Sequence, residues 1–111
     1  MSAVQELAST FGALADPTRL AIVARLASGE ATVKELTEPF DLTQQAVSRH
    51  LKVLEDAGLV SRRQVAQARP ASLEVERLLE VLAWIEQRRR EWEDRHERLA
   101  AYLERLGEEQ R

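Results

Sequence analysis

The chain contains no cysteine. That absence removes disulfides, thiolate metal sites and cysteine nucleophiles together. It has only two histidines, which fall in separate predicted helices, and no glycine-rich phosphate loop. Neither a catalytic triad nor a metal centre can be assembled from such a set, so no enzyme and no cofactor are expected. No apolar run approaches the ~20 residues that span a bilayer. The first residues, MSAVQELAST, lack a basic stretch followed by an apolar block, so no secretion signal is read and no membrane partner is expected. A cytoplasmic protein is the default expectation. Between Glu74 and Leu106 there is neither proline nor glycine.

What is present reads as one domain over residues 1–111. Hydrophobic residues make up 44% and charged residues 32%, the balance of a globular rather than a disordered chain. A chain of this size has room for a real core, yet would gain from dimer contacts. The net charge of −3 is uneven. Arg49, Lys52, Arg62, Arg63 and Arg69, against Glu55 and Asp56, leave +3 between Thr43 and Leu73, and −6 on the rest. A basic segment on an acidic body is the electrostatic footprint of a nucleic-acid binder.

The basic segment opens with TQQAVSRHLKVLEDAGLV, Thr43 to Val60. Thr43 suits an N-cap and Gly58 the left-handed residue that closes a helix. Val47, Leu51, Leu54 and Ala57 share one side at helical spacing. Gln45, Ser48, Arg49 and Lys52 share the other, with Gln44 at its edge. A solvated helix face is usually filled with paired Glu and Lys. This one offers amides, a hydroxyl and cations, the groups that read base edges and phosphates.

Upstream, Val4, Leu7, Ala8, Phe11 and Leu14 recur with a helical period. Asp16 caps and Pro17 starts a second helix to about Ala27, expected to bury Leu20, Ile22, Val23 and Leu26. Thr32 and Glu35 form a capping box on a short third helix, limited by Pro39. Two short helices joined by a tight turn, the second with a reading face, are in helix-turn-helix order over residues 33–57. Downstream, Val60–Gln64 and Ala71–Leu73 pair as a hairpin around Val65–Arg69, with Pro70 at an edge or a strand start. That ribbon, residues 60–73, is a wing. Arg62, Arg63 and Arg69 would lie along the DNA backbone or reach the minor groove. From residue 74 to 106 one helix is expected. Leu78, Ile85, Trp92, Leu99 and Leu106 step by seven, interleaved with Leu82, Arg89, His96 and Leu103. Its apolar stripe, with Trp84, Trp92 and Tyr102, needs a partner, and a second copy of the chain is the economical one. The fold class is mainly α with a small β-hairpin wing.

FGALADPTRLAIVARL followed by VKELTEPFDLTQQAVSRHLKVLEDAGLVSRR resembles the ArsR/SmtB family of winged helix-turn-helix repressors, over about Phe11 to Arg63. The resemblance implies a homodimer whose first and last helices, over residues 1–15 and 74–106, form the interface. Leu7, Phe11, Leu82, Ile85, Trp92, Leu99 and Leu103 are its candidate residues. It also implies that two recognition helices enter successive major grooves of an inverted repeat in double-stranded DNA, and that repression is relieved by a signal the sequence does not name. Thr43, Gln44, Gln45, Ser48, Arg49, His50 and Lys52 become the candidate DNA contacts on the helix, with Arg62, Arg63 and Arg69 on the wing. His50 is read as structural or phosphate-contacting rather than base-reading. The family's thiolate sensors need cysteine where this chain has Leu36-Thr37-Glu38. Their last-helix site would start at Asp94-Arg95-His96, but its later positions are Gly107 and Gln110. The resemblance is therefore to a branch without a thiolate metal site. The alternatives are a repressor responding to a metal through an N/O site on the last helix, or a winged helix used as a protein-interaction module.

Overall fold

The computed structural model describes residues 2–110. The elements run α1 (Ala3–Leu14), α2 (Pro17–Leu26), α3 (Val33–Thr37), α4 (Gln44–Asp56), β1 (Val60–Arg62), β2 (Ala71–Leu73) and α5 (Val75–Glu109). Two compact units divide the chain, the first ending at Val81 and the second beginning at Leu82. No described helix is long and apolar enough to cross a membrane.

Side-chain caps start the first four helices, three of them where the sequence calls for them and one, on α1, that it did not single out. Ser2 and Gln5 form a capping box on α1. Asp16 accepts from the Arg19 N–H at 3.0 Å, with Pro17 in the first turn of α2. Thr32 and Glu35 close the expected box on α3. Thr43 Oγ1 accepts from the Ala46 N–H at 3.1 Å. Each bond satisfies one of the backbone donors that a helix start leaves unpaired. Gly58 ends α4 at φ +77°. A Cβ there would lie 2.7 Å from Arg77 Nη2, the end of a flexible side chain that can shift, so it is the positive φ that requires glycine.

The core of the first unit is built on α4. Val47, Leu51 and Leu54 are fully buried and meet Ile22, Leu26, Leu36 and Leu59, with Ala13, Ala31, Ala57, Val60 and Ala71 filling the gaps. One expectation of burial fails. Leu20 is 53% exposed: Ile22 and Leu26 set the inner face of α2, and Leu20 lies about 200° from Ile22. In α1 the residues buried within the chain are Thr10 and Ala13, while Val4 is exposed and Leu7 and Phe11 are half-buried. Thr10 tolerates burial because its hydroxyl donates to the Glu6 carbonyl at 3.0 Å.

The hairpin forms, its first strand ending at Arg62 rather than Gln64, and pairs Val60 with Leu73, Ser61 with Ser72 and Arg62 with Ala71. Pro70 sits immediately before β2 and is buried. Val65 and Ala68 exchange backbone bonds at 2.9 Å across the tip. With no glycine there, Ala66 takes φ +55°. An unforeseen bridge ties the wing root to the α2–α3 connection: Ala31 and Ala71 exchange backbone bonds at 3.1 and 2.8 Å.

The last helix starts one residue later than expected and continues through Gly107 to Glu109. In the second unit it carries intrahelical pairs, Arg89 with Glu86 and Glu93 at 2.8 and 2.7 Å, Arg88 with Glu91 at 2.9 Å, and Arg98 with Asp94. These hold Glu86 and Glu91 below the usual carboxylate range, chiefly through hydrogen bonds from Arg89 and Arg88. Leu82, Trp84, Ile85, Trp92, Leu99, Tyr102 and Leu103 all stand exposed along it.

Candidate nucleic-acid interface

Because Val47, Leu51 and Leu54 immobilise one face of α4, the opposite face is presented at fixed orientation. Gln44, Gln45 and Arg49 are exposed and Ser48 half-buried. None of the four has a hydrogen-bond or ion-pair partner among the described residues. Two amides, a hydroxyl and a guanidinium therefore stand with their full bonding capacity unspent. Thr43 spends its oxygen lone pair on the Ala46 amide, which leaves its O–H as a donor.

The other candidate cations are partly committed. Lys52 Nζ lies 3.0 Å from Asp56 Oδ1, and that hydrogen bond raises the lysine pKa. The charge of Arg69 pushes in the opposite direction, which brings the wing cation into the electrostatic range of α4. Arg62 turns back on the wing itself: its Nε and Nη2 donate to the Arg69 carbonyl at 3.2 and 2.8 Å. Arg63 Nη2 donates to both oxygens of Glu30 at 3.2 Å, and Ser72 Oγ donates to the same carboxylate at 3.3 Å. Arg69 is the wing arginine whose guanidinium carries no such bond among the described residues.

His50 faces away from the reading group. Its Nδ1 lies 3.4 Å from Arg19 Nη1 and 3.8 Å from Asp16 Oδ2, with a quarter of its side chain exposed. Asp16, Arg19 and Glu30 thus join the site without having been singled out as contacts. Asp16 and Arg19 read in sequence only as a helix start. Glu30 reads only as a turn residue.

The residues expected at a twofold interface fall in both units. In the first unit Leu7 and Phe11 are half-buried on α1. In the second, Leu82, Ile85, Trp92, Leu99 and Leu103 are exposed on α5.

The metal alternative finds no support in the donor set. His96 stacks on Trp92, ring centroids 3.8 Å apart, and Asp94 pairs with Arg98. Two positions apart on a helix, Asp94 and His96 point about 200° from each other. Leu36, where a thiolate would stand, is fully buried in the core. Among the described residues no three His, Asp or Glu side chains gather to hold an ion, and the residues do not fit a metal centre within one chain.

Residues 14–63 match the family described as "Helix-turn-helix domain". The chain is 39% identical over 80 residues to the biofilm growth-associated repressor of Agrobacterium fabrum, covering 69% of this chain and 68% of that one. It is 45% identical over 58 residues to the regulator NmtR of Mycobacterium tuberculosis, covering 52% of this chain and 48% of that one. The chain thus spans about half the length of NmtR. The crystal structure of an ArsR family transcriptional regulator superposes with a TM-score of 0.76 at 37% identity, covering 83% of this chain and 95% of that one. A homodimeric winged helix-turn-helix DNA-binding domain from Mycobacterium bovis gives 0.65 at 25% identity, covering 79% and 82%.

Proposed function

We propose that this chain, which belongs to the ArsR/SmtB family of winged helix-turn-helix transcriptional regulators, represses transcription as a homodimer bound to an inverted-repeat operator, without a thiolate metal sensor. The observation that carries the reading is the outer face of α4: the side chains of Gln44, Gln45, Ser48 and Arg49 without partners among the described residues, on a helix whose inner face is locked in the core. Two such helices on a twofold axis would enter major grooves about 34 Å apart. Gln pairs with adenine and Arg with guanine in that groove. Lys52 and the wing's Arg69, together with Arg62 and with Arg63 once it leaves Glu30, would contact phosphates or the minor groove. Thr43 and His50 would border the contact. Leu7 and Phe11 on α1, with Leu82, Ile85, Trp92, Leu99 and Leu103 on α5, would form the dimer interface.

Regulators of this family work by binding rather than by catalysis, and repression would be steric. Relief would come from a ligand or partner that favours a dimer geometry whose helices no longer match the operator spacing. The cytoplasm is the compartment that suits such a protein. The absence of thiolates at Leu36-Thr37-Glu38 and the dispersed Asp94 and His96 support a signal other than a thiolate-bound metal.

Selection from a random duplex pool, followed by titration of the preferred duplex across a salt series, tests the proposal. The expected result is an enriched inverted repeat and an affinity that falls steeply with salt as counterions are released. Arg49→Ala should cost about 1–3 kcal/mol on that duplex if it reads a base. No enriched sequence together with a flat salt response would reject DNA reading and favour a protein partner.

A further inference from the structure

Arg19 spends its whole guanidinium on joining two helices. Its Nε donates to the Ala13 carbonyl at 2.6 Å and its Nη2 to the Gly12 carbonyl at 3.4 Å. Both carbonyls belong to the last turn of α1, where a helix leaves acceptors unsatisfied. The third nitrogen, Nη1, lies 3.4 Å from His50 Nδ1 in the middle of α4. A guanidinium only donates, so this contact is a hydrogen bond in the tautomer that carries its lone pair on Nδ1 and its proton on Nε2. Asp16 holds the other end. Its Oδ2 accepts the Arg19 N–H at 3.0 Å and stands 3.8 Å from His50 Nδ1. That backbone bond is the main reason the Asp16 carboxyl is held below its ordinary range, with the charge of Arg19 adding to it. Asp16 and Arg19 are the charged groups that face the imidazole.

We propose that Arg19 is a positioning residue for DNA reading, clamping the end of α1 to the recognition helix through His50. The proposal rests on the DNA-reading assignment made above. His50 follows Arg49 directly and Ser48 by two, so a clamp on its ring fixes the pose from which both side chains project. The other end of the clamp is the last turn of α1, one residue from Phe11 of the proposed dimer interface. A displacement of α1 in the dimer therefore reaches the reading face by a rigid planar fork as well as through the packing of α1 on α4. Lysine's single ammonium nitrogen lacks the planar fork that reaches these three acceptors from three separate nitrogens.

The test measures, for the full-length protein, the ratio of affinities for the selected duplex over a scrambled duplex, with dimer mass by sedimentation. Arg19→Lys keeps the charge and loses the fork, and should lower the ratio about tenfold. His50→Ala should lower it similarly. His50→Asn sets an amide oxygen near the Nδ1 position and should restore most of it. Arg19→Lys combined with His50→Ala should lose no more than either alone, because both break one link. An unchanged ratio in Arg19→Lys, equal losses on both duplexes, additive losses in the double variant, or His50→Asn no better than His50→Ala would each overturn the clamp. If the unsubstituted protein shows no preferred duplex, it is the DNA-reading assignment that falls instead.

Discussion

Arg63 cannot reach a phosphate while Glu30 holds it, so deleting the Glu30 charge should tighten DNA binding. Arg63 Nη2 donates to both Glu30 oxygens at 3.2 Å. The pair is 68% and 43% exposed, so water and salt screen it, and breaking it costs at most about 1 kcal/mol. That is about fivefold in affinity per protomer, and about 30-fold for a dimer with both wings engaged. Glu30→Gln keeps an acceptor for the Ser72 hydroxyl while releasing the guanidinium. Fluorescence anisotropy on the selected duplex at low salt should show a gain of a few-fold up to that ceiling. The gain should shrink as salt is added. Glu30→Gln combined with Arg63→Gln should erase it, because the released cation is the source. A loss of affinity in Glu30→Gln with thermal stability unchanged would refute the reasoning. It would mean that the strap from Glu30 to the wing matters more than the phosphate contact it blocks.

Leu51→Ala should cost about 2–5 kcal/mol in chemical unfolding, as for other fully buried leucines; a smaller loss would mean the site under α4 collapses. Gly58→Ala should destabilise by roughly 1–2 kcal/mol, the cost of a left-handed alanine, because the Arg77 guanidinium that the new Cβ meets can swing aside. Trp92→Glu should shift the sedimenting species toward monomer and weaken operator binding with it, whereas a full-affinity monomer would remove α5 from the interface. Asp16 and Glu35 accept cap N–H bonds from Arg19 and Thr32 that lower their pKa values. Their stabilisation is complete above the unfolded carboxylate range, near pH 4, and is lost as pH falls through the lowered folded values. The stability gap between the parent and a combined Asp16→Asn, Glu35→Gln variant should therefore close below about pH 4, as urea midpoints measured against pH will show.

The parts of the fold readable from sequence are those whose signals are local. Asp16-Pro17, Thr32 with Glu35, Thr43 and Gly58 each mark an end by chemistry confined to one turn, and each end falls where they place it. The wing strands also fall in place despite a tip without glycine, because Ala66 accepts a positive φ. Burial within α1 and α2 was less legible. Leu20 is apolar but lies off the axis through Ile22 and Leu26. In α1 the tertiary contact selects Thr10 and Ala13 over the more hydrophobic Leu7 and Phe11. Hydropathy records what a residue can bury against, not which of two partners, this chain or another, will cover it. The Ala31–Ala71 bridge joins positions forty residues apart, and no local pattern announces it.

The site divides along the same line. In sequence the cations at positions 49, 52, 62, 63 and 69 are equivalent positive charges, and they serve equally well in a footprint argument. Folding makes them unequal. Among the described residues Arg49 and Arg69 keep their guanidiniums unengaged, Lys52 shares its charge with Asp56, Arg62 is spent on the backbone of Arg69, and Arg63 is held by Glu30. Counterion release scales with cations that actually reach phosphate, so counting basic residues overstates the wing more than it overstates α4. An exposed pair costs little to break, which makes Lys52 and Arg63 recruitable cations. Arg62 is different. Its fork fixes the carbonyl of the residue whose side chain does the reaching, and its loss would disturb the aim of Arg69 more than the total charge.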